Sequence, residues 1–387
     1  MTAWLKTNRN FVVTLLTGIL LSLILISLPT GYEDAVIYRG AERAVCEVRA
    51  TDNSNIISSG VIQSGEQSCE LYVQNGRFKG QTIRGVNFLS GSLERDKIYR
   101  TGDKAYVTIS HDGDQITQAV MTDHYRLQKE WILLLIFFGF LLLFAGKKSI
   151  QAIFSFIITI LTIWKVLVPA YLNGYDPLLV GIGITVFLTV LIIFLVYGLD
   201  VKTGVAAGGS ILGIATTAIL GVIFTGYFKV HGAIMPDAES LLYSGYQGLD
   251  LTGIFMSSIF IGASGSMMDL AVDITSAVWE VVQKKPDISR REAILSGITV
   301  GRAAMGTMTT TLLLAYSGSF ITTMMVFMAQ GTPIDHILNY RYVAAEVLHT
   351  IAGSFGLVTV APFTAIVAGW YLPGRARRLS SITEVRE

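Results

Sequence analysis

The residues in this chain best suited to chemistry are three acids in an apolar background, Asp269, Asp273 and Glu280. On a helix of about 3.6 residues per turn they fall within roughly 40° of one another, so they form one stripe rather than a ring. Carboxylates so arranged can bind a cation, relay protons or hold an amine-bearing substrate. At membrane depth they are costly unless they face a bundle interior or water. Asp269 and Asp273 lie deep in their segment and take the functional reading. Glu280, beside Lys284 and Lys285, is expected at the interface.

A second polar set follows on the next apolar segment: Arg302, Thr307, Thr309, Thr310 and Thr311. Arg302 either pairs with Asp269 or Asp273 across the helix interface or snorkels to the cytoplasmic surface. The threonines either bond back to the preceding turn and allow close packing, or Thr307, Thr310 and Thr311 coordinate a partly dehydrated ion. Glu346 and His349 share one face of the last helix. They either extend an ion path toward the outer side or form a pair satisfied within the bundle.

These groups need elements to hold them at membrane depth, and the composition supplies such elements. Hydrophobic residues make up 52% of the 387, charged residues 15%, and the net charge is +1. Repeated runs of about 18 or more apolar residues specify a mostly α, polytopic helical membrane protein. Spans are expected near residues 11–28, 131–146, 149–171, 177–198, 203–226, 252–282, 294–330 and 341–371, about eight in all. Two of these exceed the roughly 20 residues a bilayer needs. Gly262 and Gly265, and Gly301 and Gly306, are the expected hinge points where the long segments bend or unwind. Gly204 to Gly213 carries small-residue spacings that read as a packing seam and leave a homo-oligomer open.

Residues 31–128 are the one sizeable polar region. Short alternating runs such as CELYVQ and KAYVTIS, separated by turns such as Asn75-Gly76 and Asp112-Gly113, predict a small β-barrel or sandwich of OB-like type. His111 and His124 there have no Cys or His at ligand spacing and read as solvated turn residues. The only cysteines, Cys46 and Cys69, are either a disulfide or two buried thiols.

The expected division is an anchor helix over 1–30, the β domain over 31–128, a seven-helix permease-type domain over 129–373 and a tail over 374–387. Lys6, Arg9, Lys147, Lys148, Lys202, Lys284, Lys285, Arg290, Arg291, Arg375, Arg377 and Arg378 then all fall on one side. The positive-inside bias makes that side cytoplasmic, with both termini inside and the β domain outside a bacterial cytoplasmic membrane. No GxxxxGK[ST], HExxH, GxSxG or CxxC pattern occurs, so neither an ATP engine nor a common hydrolase or redox centre is expected. No cofactor and no nucleic-acid partner are expected; the partners are the lipid bilayer and a small solute or ion.

The stretches GASGSMMDLAVDITSAVWE (262–280), SGITVGRAAMGTMTTTLLLAYSGS (296–319) and AAEVLHTIAGSFGLVTVAPFTA (344–365) resemble the YibE/F family of multi-pass bacterial membrane proteins. The resemblance spans residues 131–371 and implies architecture rather than a defined activity. The residues themselves favour a secondary transporter, not an enzyme, with a non-transporting scaffold or sensor as the alternative.

Overall fold

The computed structural model describes residues 9–32 and 40–384; Lys6, one of the orienting basic residues, lies outside them. In chain order the helices and strands are α1 (Arg9–Ser27), β1 (Ala41–Asp52), β2 (Ile56–Ser59), β3 (Ile62–Val73), β4 (Thr82–Ser90), β5 (Lys104–Asp112), β6 (Gln115–His124), α2 (Leu127–Ala145), α3 (Lys147–Thr162), α4 (Val168–Leu172), α5 (Pro177–Tyr197), α6 (Val201–Tyr227), α7 (Ala238–Tyr243), α8 (Leu251–Lys284), α9 (Arg290–Ser317), α10 (Ile321–Ala329), α11 (Ile334–Asn339) and α12 (Arg341–Glu384). The chain divides into two compact units, Gly31–Phe144 and Met1–Thr30 with Ala145–Glu387.

In the first unit, β1 pairs antiparallel with β3 and with β5, β3 with β4, and β5 with β6. A parallel pairing of β4 with β6 at Val86 and Val120 closes the circuit, and β2 is a short addition to β3. Five long strands joined in this order make a closed barrel of OB type. The alternation seen in sequence sends Val48, Leu71, Val107 and Ile109 into its core. Cys46 and Cys69 are buried there as free thiols. Cys46 stands opposite Val73, whereas Cys69 stands opposite Thr51, so several residues of strand, on the order of 13 to 16 Å, separate them. That exceeds the roughly 7 Å limit for a bridge, and the disulfide reading gives way to two buried thiols. Burial pushes Cys46 up to about 12 and Cys69 up to about 11.

One polar clamp lies inside the barrel. The Gln67 amide donates to Asn53 Oδ1 and to the carbonyl of Tyr99, both at 2.9 Å. Its Oε1 accepts from Tyr99 N at 3.0 Å and from Asn87 Nδ2 at 3.2 Å, and Asn87 also donates to the carbonyl of Lys97 at 2.6 Å. The clamp fixes the loop between β4 and β5 to the barrel wall.

In the second unit α8 is the central helix, packed against α5, α6, α9 and α12. Its buried face carries Ile259, Ala263, Met267, Leu270, Ile274 and Val278. The small-residue seam of α6 is used within the chain: a Cβ on Gly209 would collide with Thr364, and one on Gly213 would crowd Val360 and the Gly356 carbonyl. Among the described residues seven helices are long and apolar enough to cross a membrane, and an eighth span arises if α9 and α10, bent by 66°, count as one.

Two expectations are corrected. Helices α8 and α9 run unbroken through Gly262, Gly265, Gly301 and Gly306, and the break falls instead at Gly318–Phe320. At Gly262 and Gly301 the missing side chain serves close packing: a Cβ at Gly301 would lie 2.9 Å from Ala361 and 3.2 Å from Ile274. The segment expected as a tail from residue 374 continues α12 to Glu384, past Pro362 and Pro373. Arg377 Nε and Nη2 donate to the carbonyls of Pro286 and Ile288 at 3.2 and 3.0 Å, tying that extension to the turn between α8 and α9.

Candidate functional site

From Gly265 to Glu280 the acids stand on a strip of α8 left exposed by the described residues of the neighbouring helices. Gly262, Gly265, Asp269, Asp273, Ser276 and Glu280 are all exposed, and their spacing of three or four residues makes them a single stripe. No large apolar side chain belongs to it, although the helix is apolar on its buried side. A lipid-facing strip would be built of Leu, Ile or Phe, as α2 is, none of whose residues is buried. The stripe is instead what a water-filled groove or a closely approaching helix requires.

Asp269 and Asp273 lie one turn apart, and the hydroxyl of Tyr197, near the end of α5, is within electrostatic reach of both. Neither forms an ion pair among the described residues. Glu280 is different, since Lys284 Nζ lies 2.8 Å from its carboxylate, with both side chains mostly exposed. It forms an exposed pair, one helical turn apart, with a lysine of the cluster that the sequence sets beside it.

Arg302 shares the depth of the acids but not their site. Gly301 packs on Ile274 and Gly297 on Val278, so the antiparallel register sets Arg302 level with Asp273. Arg302 is exposed and no ion pair joins it to either aspartate. Of the two readings of Arg302, the pairing is therefore not formed among the described residues. Depth follows from counting residues from the turn, but azimuth depends on which flank of α9 meets α8 and α12.

Thr307, Thr310 and Thr311 are exposed, and their hydroxyls donate to the carbonyls of Ala304, Gly306 and Thr307 at 3.1, 3.2 and 3.0 Å. Thr309 does the same to Met305 at 2.9 Å. Back-bonding occupies the donor and leaves the oxygen lone pairs outward, which settles the hydroxyls within the helix.

A second cluster meets the stripe at Gly262. His349 and Tyr316 stack with ring centroids 4.4 Å apart, and a Cβ at Gly262 would lie 3.0 Å from Tyr316 Oη and 3.3 Å from His349 Nε2. The Ser258 backbone is a hydrogen-bond partner of the His349 ring, while Nε2 is buried with no hydrogen-bond partner among the described residues. Glu346 is within electrostatic reach of Tyr316. The structure thus brings Glu346 and His349 together through Tyr316, a residue that sequence reasoning left out of the site. Its only signal was a polar-tipped aromatic closing an apolar run. Gly262 and Asp269 are seven residues apart on the stripe, about 10 Å along the helix. Among the described residues no three or more His, Cys, Asp or Glu side chains gather as a metal site would need.

Residues 133–374 match the family described as YibE/F-like protein, and residues 41–124 match the YibE/F family N-terminal domain. The chain belongs to the YibE/F family. In this YibE/F protein the N-terminal family domain coincides with the β-barrel, and the acid stripe, Arg302, the threonines and the Glu346–His349–Tyr316 cluster all fall within the longer match. No curated protein and no solved structure matches the chain.

Proposed function

We propose that this YibE/F protein is a secondary transporter, an ion-coupled permease or exporter of a small solute or ion rather than an enzyme. The observation that carries the proposal is the exposed stripe of α8, with two carboxylates one turn apart and no ion-pair partner among the described residues. Two such charges about 6 Å apart repel by roughly 3 kcal/mol at an effective dielectric near 20, and a bound cation or proton relieves this. The stripe leads from Glu280 past Asp273 and Asp269 to Gly262, where His349, Tyr316 and Glu346 continue the series of titratable groups. In the orientation that the basic residues favour, with both termini cytoplasmic and the barrel outside a bacterial plasma membrane, the series runs from the inner to the outer side. Water, or a second copy of the chain, covers the stripe. Alternating access follows from ion binding biasing two arrangements of the helices around it.

The test is proton, metal-ion and solute flux in liposomes holding the purified chain or its Asp269→Asn, Asp273→Asn double variant. Flux in the parent that falls to background in the variant supports the reading. Flux unchanged by the variant rejects it. Absence of any flux from a folded, oriented preparation favours the scaffold or sensor reading, in which the barrel binds an envelope partner and the acids are dispensable.

A further inference from the structure

The barrel carries a set of large apolar side chains that its core does not use. Ile57, Val61, Ile62, Phe88 and Leu93 are 69, 78, 45, 56 and 71% exposed. The register places them at one end of the barrel. β4 runs parallel to β6, so the end of β4 at Ser90 lies level with the end of β6 at His124. β3 is antiparallel to β4, with Ser64 opposite Ser90, which puts Ile62 and Val61 beyond that level, and β2 brings Ile57 beside Ser64. The loop after β4 folds onto the same rim: Gly91 lies against Ile62, and Val61 and Leu93 line one cleft. Leu93 is held outward by a built loop, because the Asp96 carboxylate accepts from the backbone N–H groups of Ser90, Gly91 and Ser92 at 3.0, 2.6 and 2.9 Å.

This is also the end at which the chain leaves the barrel for α2, a helix of 19 residues with mean hydropathy 1.9. Only Tyr125 and Arg126 intervene. Neither is slack: Tyr125 N donates to the Lys104 carbonyl at 2.8 Å, and Arg126 pairs with Asp123 at 3.0 Å. A span that starts this close holds the rim against the bilayer surface. Among the described residues the opposite end has no comparable apolar set; its turns carry an ion pair between Arg77 and Asp114 at 2.7 Å.

We propose that Val61, Leu93, Ile57, Ile62 and Phe88 form a lipid-docking rim that inserts into the headgroup and upper acyl region of the membrane crossed by α2. Large apolar side chains partition into that zone, and a cluster on a rigid support gains from each group without a further ordering cost. The barrel is then seated on the bilayer instead of tethered above it.

The experiment uses the full chain in liposomes, with an environment-sensitive fluorophore on Val61→Cys, on Leu93→Cys, or on Lys79→Cys at the far end. The native thiols are buried and stay unlabelled. Emission at positions 61 and 93 should shift to the blue and be quenched several-fold more by doxyl-labelled phospholipid than emission at 79. Water-like emission and quenching equal to that at 79 overturns the proposal. A blue shift without lipid quenching also overturns it, since the rim is then covered by protein. Should labelling disturb the fold, a photoactivatable phospholipid reacted with the unmodified chain gives a second readout: adducts should fall in the peptides spanning 56–64 and 88–95, and adducts confined to the helices reject the rim.

Discussion

Replacing Gln67 by Leu removes a side chain that is fully buried and makes four hydrogen bonds in the barrel wall. Leucine matches its bulk, so the cost comes from the partners. Tyr99 loses a bond at both its N–H and its carbonyl, and Tyr99 itself is buried; Asn87 keeps only its bond to the Lys97 carbonyl. An orphaned buried polar group costs about 1–3 kcal/mol, so the substitution should cost about 3–5 kcal/mol. This is a large share of the roughly 5–15 kcal/mol that holds a domain folded. Gln63→Leu, on the same strand but half-buried, should stay within about 0.5 kcal/mol. Pulse proteolysis of the full chain in nanodiscs across a urea series, scored by cleavage within residues 41–124, reports both values. A Gln67→Leu shift below about 1 kcal/mol, or one no larger than that of Gln63→Leu, would refute the assignment of the clamp.

Other outcomes follow from the same physical arguments. Asp269→Asn and Asp273→Asn should each cut flux sharply, whereas Glu280→Gln, which breaks only the exposed pair with Lys284, should leave flux and folding nearly unchanged. Cys46 and Cys69 should resist thiolate-directed alkylation at pH 8 in the folded chain and label fully in urea. Their raised pKa values favour the neutral thiol in the fold, so that contribution is complete below the ordinary value of 9.0 and is lost as the pH rises through about 11 to 12; barrel melting followed from pH 8 to 12 tests the sign. Gly209→Leu places a side chain where Thr364 already stands and should lower the yield of folded protein in detergent, while Gly204→Leu, with open space around it, should not.

The spans were legible because apolar length alone separates a membrane helix from other elements, and all eight expected segments have a counterpart. The barrel was legible from its alternation and its glycine turns; its closure was not, because the parallel pairing of Val86 with Val120 leaves no local mark. The hinge expectation failed for a comparable reason. A glycine in an apolar segment reads the same whether it bends a helix or admits a neighbour, and only the presence of Ala361 against Gly301 or Tyr316 against Gly262 decides between them. That the three acids share one face of a helix was legible, since it needs only a period of 3.6. The pairing of Arg302 needed the azimuths of two helices, which no single period contains. Gln67 and Asn87 look like ordinary polar strand residues until Tyr99 is brought between them.

The clasp of Arg377 on the turn after α8 has a mechanical consequence. At about 1.5 Å per residue, α8 with its 34 residues is about 51 Å long and α12 with its 44 about 66 Å, against a hydrocarbon thickness of about 30 Å. Both helices are longer than that thickness, and Arg377 pins the extension of α12 to the turn that follows α8. The cation–π contact of Arg290 with Trp370, 4.4 Å from the ring centre, adds a second rivet nearby. Load applied at the clasped end cannot flex one strut alone: it tilts the pair together, and a tilt of about 5° about the midpoint of α8 carries each of its tips about 2 Å. Such a tilt leaves Asp269, about 2 Å along the axis from that midpoint, almost in place, so movement at the tips reaches the two ends of the helix while the acid site keeps its position.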